Sequence, residues 1–357
     1  MTERTRRQRP RSSQTVSLDD VARLAGVSTM TVSRVLNNRG SVSGQTRDRV
    51  VDAAEQLNYR PNLAAQALSS GRSRTIGVVT MEGAVDGPTS ALAGIEQGAR
   101  ALGYSVTMSI LPELTPASIA DAVDYLQMRS VAGIVVNAPH VGLDDSLVTA
   151  LSTPMVAMEG IEGHTPVVAV DQHRGAELAT THLIELGHRR ICHIAGPQDR
   201  LEAVERNLGW RDTLAATDLE PAAMLVGDWS PASGYELARE AIRDQDVTAI
   251  FVANDLMAIG ALRALHEAGA AVPARVSVVG FDDIAEAGFL TPALTTVHYD
   301  FYELGRRTFQ QLLTEVASTE SGDGGGGSQG RREKIMMEPA LVIRESTARV
   351  PRAGRRR

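Results

Sequence analysis

From Thr75 onward, apolar runs of strand length alternate with amphipathic helical stretches, and near Val167 the series starts again. The first series reads "TIGVVTM", "SALAGIEQGARALGY", "SVTMSI", "PASIADAVDYLQMRS", "AGIVVN", a helical stretch near "LDDSLVTALS", and "PMVAM". The second includes "VVAV", "RGAELATTHLIELGH", "RICHIA", "RLEAVERNLGWRDTLAA", "TAIFVAN", "DLMAIGALRALHEAG" and "VSVVGF". Such alternation argues parallel strands with helices on both faces. One compact sheet cannot hold so many strands, so two doubly wound parallel-sheet subdomains are predicted. The body is expected over 75–346, its N-subdomain at about 75–170 and 301–329 and its C-subdomain at about 171–300 and 330–346. Between the last helix, "FYELGRRTFQQLLTEVAS", and an extended end lies "SGDGGGGSQG". Gly322 to Gly327 formally matches G-x-G-x-x-G, but it follows a helix rather than a strand and reads as linker glycines.

Ahead of this body stands an all-α head, expected over 16–60. Leu18, Val21, Ala22 and Leu24 place apolar residues on one helical face, and Asp19 and Asp20 sit in the first turn, where the helix dipole favours anions. Gly26 allows a tight turn with positive φ, and Ser28 is a good N-cap for a second helix. There Val32 and Val35 face inward, leaving Thr29, Met30, Thr31, Ser33 and Arg34 outward. A short polar face tipped with Arg suits a major groove. Arg34 fits a bidentate guanine contact, Thr29 and Met30 base edges or a thymine methyl, and Thr31, Ser33 and Asn37 phosphates. Ser17 is counted with these DNA-facing residues. A third helix, about Ser43 to Leu57, completes the core with Val50, Val51, Ala54 and Leu57. By spacing alone, a three-helix cap without DNA fits equally well.

Charge bears on that choice. Residues 1–74 hold 13 Arg and 6 acidic residues, a formal +7; the remaining 23 basic and 37 acidic residues give −14, within a whole of −7. A basic head on an acidic body suggests nucleic acid for the head and another ligand for the body. Residues 1–15 read as a disordered basic tail, and 347–357 as another. The single Cys192 leaves no intramolecular disulfide and suits a reducing cytoplasm. No apolar run of spanning length and no secretion signal is present, so a cytoplasmic chain with no membrane partner is expected.

Chemistry-bearing residues of the body lie at strand ends, where open α/β sheets bind ligands. "FVAND" ends at Asn254 and Asp255, "VVGFDD" at Asp282 and Asp283, and Trp229 stands in a loop. Each has a plainer reading. Arg206 could pair at the surface with Glu202 or Glu205, Trp229 could pack, and Asn254 and Asp282 could cap helices. Trp210 is assigned to packing. There is no G-x-S-x-G, Walker or H-E-x-x-H motif, and His182, His188 and His193 lack metal-ligand spacing. No enzyme activity, cofactor or metal is expected.

Taken together, "VSLDDVARLAGVSTMTVSRVLNN", "THLIELGHRRICHIAGP", "GDWSPASGYELA", "VANDLMAIGALRAL" and "VSVVGFDDIAEAGFLTPALTTVHYDF" resemble the lactose-repressor (LacI/GalR) family of transcriptional regulators over roughly 16–346. The resemblance implies a periplasmic-binding-protein-like body and a linker at 61–74. A hinge helix is implied at 62–70, with Asn62 near the DNA, Ala65 at a hinge–hinge contact and Leu68 as a minor-groove wedge. It implies double-stranded, pseudo-palindromic operator DNA and a homodimer. The chain ends without apolar heptads, so no tetramer through a C-terminal helix is expected. Arg206, Trp229, Asn254 and Asp282 match the sugar-contact positions of the resemblance. Glu159 stands near an Asp position, Pro88 is matched in the loop after the first strand, and Phe301 and Leu304 match an apolar wall. The walls depart at Met81, Val85, Ala91, Val170 and Tyr299. A small sugar effector is implied, a galactoside or another β-linked saccharide. Release from DNA and co-repression both remain open, as does a transport-type sugar-binding protein.

Overall fold

The computed structural model describes residues 16–36, 41–59, 73–81, 87–113, 115–137, 153–160, 165–320 and 334–350; the side chains of 87, 88 and 320 are outside this description. By its contacts the chain divides into two units, 1–73 and 74–357.

In the first unit, three helices α1 (Leu18–Ala25), α2 (Thr29–Leu36) and α3 (Gly44–Gln56) share one small core. Ser17 opens α1 through a capping box with Asp20, satisfying two backbone donors at once. Gly26 ends it at φ 64°, a left-handed position that disfavours a side chain. Ser43 caps α3. Val21, Ala22, Ala25, Val32, Val35, Val50, Ala53 and Ala54 are buried. Two expected core residues are not: Leu24 is 51% and Val51 40% exposed. Ala25 and Ala53 take the inward positions because they continue the three- and four-residue spacing of Leu18, Val21 and Ala22 and of Val50, Ala54 and Leu57, which turns Leu24 and Val51 off the buried faces.

The second unit carries two six-stranded sheets. Sheet one contains β1 (Thr75–Met81), β2 (Ser105–Leu111), β3 (Gly133–Val136), β4 (Met155–Met158), β5 (Val167–Val170) and β11 (Lys334–Met337), in the order β11-β5-β4-β3-β1-β2. Sheet two contains β6 (Ile191–Ala195), β7 (Met224–Val226), β8 (Ala249–Val252), β9 (Ser277–Asp282), β10 (Thr295–His298) and β12 (Ala340–Val342), in the order β12-β10-β9-β8-β6-β7. All pairings are parallel except that of β10 with β12. The inner strands are buried except at the ends of β1, β9 and β10, as continuous apolar runs such as "GIVV" and "AIFV" require in a sheet covered on both faces. The edge strands β2 and β7 alternate instead.

Helices α4 (Gly87–Ala101), α5 (Pro116–Met128) and α10 (Phe301–Glu320) pack on sheet one. Helices α6 (Gln172–Glu185), α7 (Leu201–Ala215), α8 (Pro231–Ala241) and α9 (Asp255–Glu267) pack on sheet two. Among the described residues the chain passes between the sheets after β5, after β10 and after β11. The last crossing differs from expectation. The extended end at 330–346 does not belong wholly to the second subdomain: Lys334–Met337 pairs with β5 of sheet one, and only β12 joins sheet two. No helix among the described residues is long and apolar enough to cross a membrane.

Candidate functional site

In the first unit α2 presents the outward face. Ser28 accepts a hydrogen bond from the Thr31 amide at 3.2 Å, and its hydroxyl meets that of Thr31 at 2.9 Å. Val32 and Val35 anchor the inner side, which turns Met30 (64% exposed) and Arg34 outward, with Thr29, Thr31 and Ser33 half-buried beside them. Arg49 of α3 donates to the carbonyls of Ala25 and Gly26, clamping the turn between the first two helices. Ser17 is occupied by its cap: its hydroxyl lies 2.7 Å from the Asp20 carboxylate, and its amide donates to the same group at 3.0 Å. Asn37, Asn62, Ala65 and Leu68 lie outside the described residues, as does the hinge helix expected at 62–70.

In the second unit a cavity of about 400 Å³ opens between the two sheets at the carboxyl ends of their parallel strands. Glu159, Arg206, Trp229, Asn254, Asp282, Phe301 and Leu304 all line it. The side chain of Pro88 is outside the described residues. Sheet one supplies Glu159 at the end of β4, and α10 supplies Phe301 and Leu304. Sheet two supplies Asp282 at the end of β9, and Asn254 follows β8.

Arg206 organises the polar wall. It projects from α7 and is 3% exposed, so it is not a surface charge. Its Nε donates to Oε1 of Gln172 at 2.8 Å, one Nη to Oδ1 of Asp282 at 3.2 Å, and the other to the carbonyl of Ala253. The guanidinium lies 3.7 Å from the centre of the Phe281 ring and 5.7 Å from that of Trp229. A planar cation held by three acceptors and an aromatic face is fixed in orientation. Gln172 extends the chain to Glu159, donating to both carboxylate oxygens at 3.4 and 3.5 Å, and the Val170 amide donates to Glu159 at 3.1 Å. Tyr299 closes the other end, its hydroxyl donating to Asp282 at 3.3 Å. The network thus joins a residue of sheet one to the wall of sheet two.

Burial sets the protonation of this wall. It pushes the Asp282 carboxyl up to about 6, against the opposing pull of Arg206. It pushes Glu159 up to about 7, helped by Glu202, and Glu202 also to about 7. Burial also holds the Tyr299 hydroxyl well above its ordinary value. Behind the wall, Asp255 is buried and raised to about 8 by burial and by Asp282, while accepting from the Thr296 hydroxyl at 2.6 Å and the Ile284 amide at 3.0 Å. Glu159, Trp229 and Asp282 all have positive φ, at 59°, 71° and 103°. Backbone strain of this kind persists where the surroundings over-determine it and concentrates at binding sites.

Asn254 has two roles. Its carbonyl oxygen caps α9 by accepting from the Met257 amide at 2.9 Å, and its amide donates to the Trp229 carbonyl at 3.2 Å. Asp282 caps no helix. Gln172 carries no local sequence signal of a site residue, and Glu202 is legible only as a neighbour of Arg206 in helical register. Both line the cavity. Helical spacing did carry a signal, since Glu202 and Arg206 are four apart and share a face. The three histidines serve packing. His182 and His188 bond to Thr347, Thr248 and the Ala348 carbonyl, while His193 stacks on Phe251 at 4.6 Å and is pushed down to about 4 by burial. Trp210 is buried, as assigned from sequence.

The two regions match known proteins separately and together. The family of bacterial regulatory proteins, lacI family, matches residues 17–62, and a periplasmic binding protein-like domain matches 180–347. The lactose operon repressor of Escherichia coli (strain K12) is 38% identical over 302 residues, covering 84% of each chain. The HTH-type transcriptional repressor PurR of Haemophilus influenzae (strain ATCC 51907 / DSM 11121 / KW20 / Rd) is 32% identical over 336 residues, covering 92% of this chain and 98% of that one. A crystal structure of the lac repressor dimer bound to operator and the anti-inducer ONPF is similar with a TM-score of 0.82 and 35% identity, over 94% of this chain and 100% of that one. A complex of the transcriptional regulator CelR with cellobiose gives a TM-score of 0.67 and 32% identity, over 93% and 99%.

Proposed function

Since the chain belongs to the LacI family of bacterial regulatory proteins, a family of DNA-binding transcriptional repressors rather than enzymes, we propose that a small saccharide bound between its two body subdomains releases it from a pseudo-palindromic operator. The observation that carries this reading is the network Glu159–Gln172–Arg206–Asp282–Tyr299, which runs across the cavity between the sheets. Fixed carboxylate, amide and guanidinium groups beside the Trp229 ring suit a ligand with many hydroxyls and an apolar ring face. The CelR complex with cellobiose supports a saccharide, and a galactoside or another β-linked sugar is favoured.

The head, proposed at 16–60, reads the operator through Thr29, Met30 and Arg34. Thr31, Ser33 and Asn37 hold phosphates, with Ser17 capping the first helix. A hinge over 61–74 contributes Asn62, Ala65 and the wedge Leu68. Two heads are needed, because a single half-site binds weakly and two-fold symmetry sets the spacing. The repressor therefore acts as a homodimer, consistent with the lac repressor dimer, and it acts in the cytoplasm. A saccharide can release DNA only by binding one relative arrangement of the subdomains more tightly than the other. The test is operator binding by the full chain titrated against a saccharide panel. Supporting the reading, at least one saccharide weakens binding; a panel without effect on the operator complex overturns it.

A further inference from the structure

The polar groups of the cavity fall into two sets. Arg206, Asp282, Asn254 and Trp229 come from the side of sheet two and bind or face one another. Thr80, Met81 and Asn137 stand at the carboxyl ends of β1 and β3 in sheet one, and Arg200 meets them from the start of α7. Two contacts build this second set. The Asn137 backbone amide donates to the Val79 carbonyl at 2.9 Å, which carries the β1–β3 register on and sets Asn137 beside Thr80. One Nη of Arg200 lies 2.7 Å from Sδ of Met81. Arg200, borne by a helix that packs on sheet two, therefore touches a strand end of sheet one across the cleft.

The second set is short of partners. Arg206 has three protein acceptors, whereas Arg200 has the Met81 thioether, a weak one, and forms no ion pair among the described residues. Asn137 is 9% exposed and lines the cavity, yet its side-chain amide has no hydrogen-bond partner among the described residues. Unlike the hydroxyl of Thr80, that amide is not sealed from the cavity. Arg200 is also the N-cap of α7, where its side chain cannot accept; the first amides of α7 lack the cap that Ser230 gives α8 and Asn254 gives α9. A guanidinium, a free amide and a helix N-terminus all favour a negatively charged acceptor. The acids of the cavity do not supply it. Asp282 is bound to Arg206, and Asp228 is exposed and engaged with Ser230 and Ser233. Glu159 is taken up by Gln172 and the Val170 amide. Glu202, two residues from Arg200, is raised to about 7 by burial against the pull of both arginines. A neutral ligand closing over Arg200 strips water from an unpaired cation, which is costly; a carboxylate meets the same fork with two parallel hydrogen bonds.

We propose that Arg200 and Asn137 form a cross-cleft subsite for a carboxylate, and that the effector is an acidic saccharide, a uronate. This rests on the saccharide reading above and names the class of saccharide. Its hydroxyls meet Arg206, Asp282 and Asn254, and its apolar ring face meets Trp229. Its carboxylate lies between Arg200 on the side of sheet two and Asn137 at the end of sheet one. A ligand gripped from both subdomains binds one of their relative arrangements more tightly than the other, which is the condition for releasing DNA.

The experiment is calorimetric titration of the full chain with matched probes. The acids are the methyl β-glycosides of galacturonic and glucuronic acid and the β-1,4-linked disaccharide of glucuronic acid with glucose. Each is set beside its neutral parent, methyl β-galactoside, methyl β-glucoside or cellobiose. At least one acid is expected to bind tenfold or more tightly than its parent. Arg200→Gln is expected to bring the acid-to-parent ratio close to one, and Asn137→Ala to lower it threefold or more. Thermal melting verifies that each variant is folded. Reading the ratio rather than the affinity separates loss of the carboxylate contact from a general loss of binding. Parents that bind as tightly as every acid, or a preference that either variant leaves unchanged, overturn the carboxylate subsite and leave the saccharide reading intact. Failure of every probe, acid and neutral alike, to bind overturns the saccharide reading and the subsite with it.

Discussion

Replacing Arg206 with alanine separates effector sensing from DNA binding. Three protein acceptors hold the guanidinium, and the Phe281 ring lies beneath it. Breaking a buried ion pair by removing one partner costs about 3–5 kcal/mol. The lower end applies here, because Asp282 already sits at about 6 with Arg206 beside it and takes a proton readily once the cation is gone. A loss of about 3 kcal/mol leaves a domain of ordinary stability, about 5–15 kcal/mol, folded. The saccharide loses at least one hydrogen bond to a charged group, about 1.5–3 kcal/mol, and Asp282 and Gln172 lose the group that orients them. The expected weakening is on the order of 100-fold. Fluorescence anisotropy of labelled operator, titrated with a releasing saccharide, reads it directly. The half-release concentration rises about 100-fold, while operator affinity without saccharide stays near wild type, because the base-reading residues lie in the other unit. Urea unfolding verifies that the variant is folded. An unchanged half-release concentration in a folded Arg206→Ala protein refutes the account of the polar wall.

Stability should fall as pH rises from about 4 to about 8. Glu159, Glu202, Asp255 and Asp282 have native values of about 6 to 8, above their unfolded values, so the native state keeps protons that the unfolded chain has released. Urea unfolding across this range measures the slope, and Asp255→Asn flattens it; a wild-type slope of opposite sign contradicts the burial argument. Gly26→Ala strains a turn at φ 64° and sets a Cβ 2.9 Å from an Arg49 nitrogen, so the melt of the head should lose about 1 kcal/mol; an unchanged melt contradicts it. On the edge strand β2, Met108 and Ile110 are 49% and 57% exposed, a feature that favours pairing with another chain. If the homodimer uses this edge, Ile110→Lys shifts sedimentation toward monomer at micromolar concentration, and an unaltered dimer places the interface elsewhere.

Much of this architecture was legible because its signals are local. The buried strands are unbroken apolar runs, and the turn at Gly26 and the cap at Ser28 are set by neighbouring residues. Errors came where partners distant in sequence decide the outcome. Lys334–Met337 looks like the continuation of its neighbours, yet it pairs with β5 more than 160 residues earlier. Leu24 and Val51 are a different case: both are apolar, but helical spacing itself puts the buried faces at Leu18, Val21, Ala22 and Ala25 and at Val50, Ala53, Ala54 and Leu57. At the cavity, strand ends drew attention to Asn254 and Asp282. Gln172 escaped notice because nothing in its own segment marks it. Its importance comes from bridging Glu159 and Arg206, contacts that exist only when the end of β4, the start of α6 and α7 are brought together. For Arg206 the residues alone allowed a surface charge in helical register beside a place in the binding site, and its burial removes the first.

The most direct test of the central claim is release of operator DNA from the wild-type full chain by saccharides, followed at fixed salt because phosphate contacts make such affinities salt-dependent. The account predicts that a saccharide lowers operator affinity and that the loss vanishes in Arg206→Ala. A saccharide panel that leaves operator affinity unchanged, or that tightens it, contradicts release by a ligand held between the two sheets.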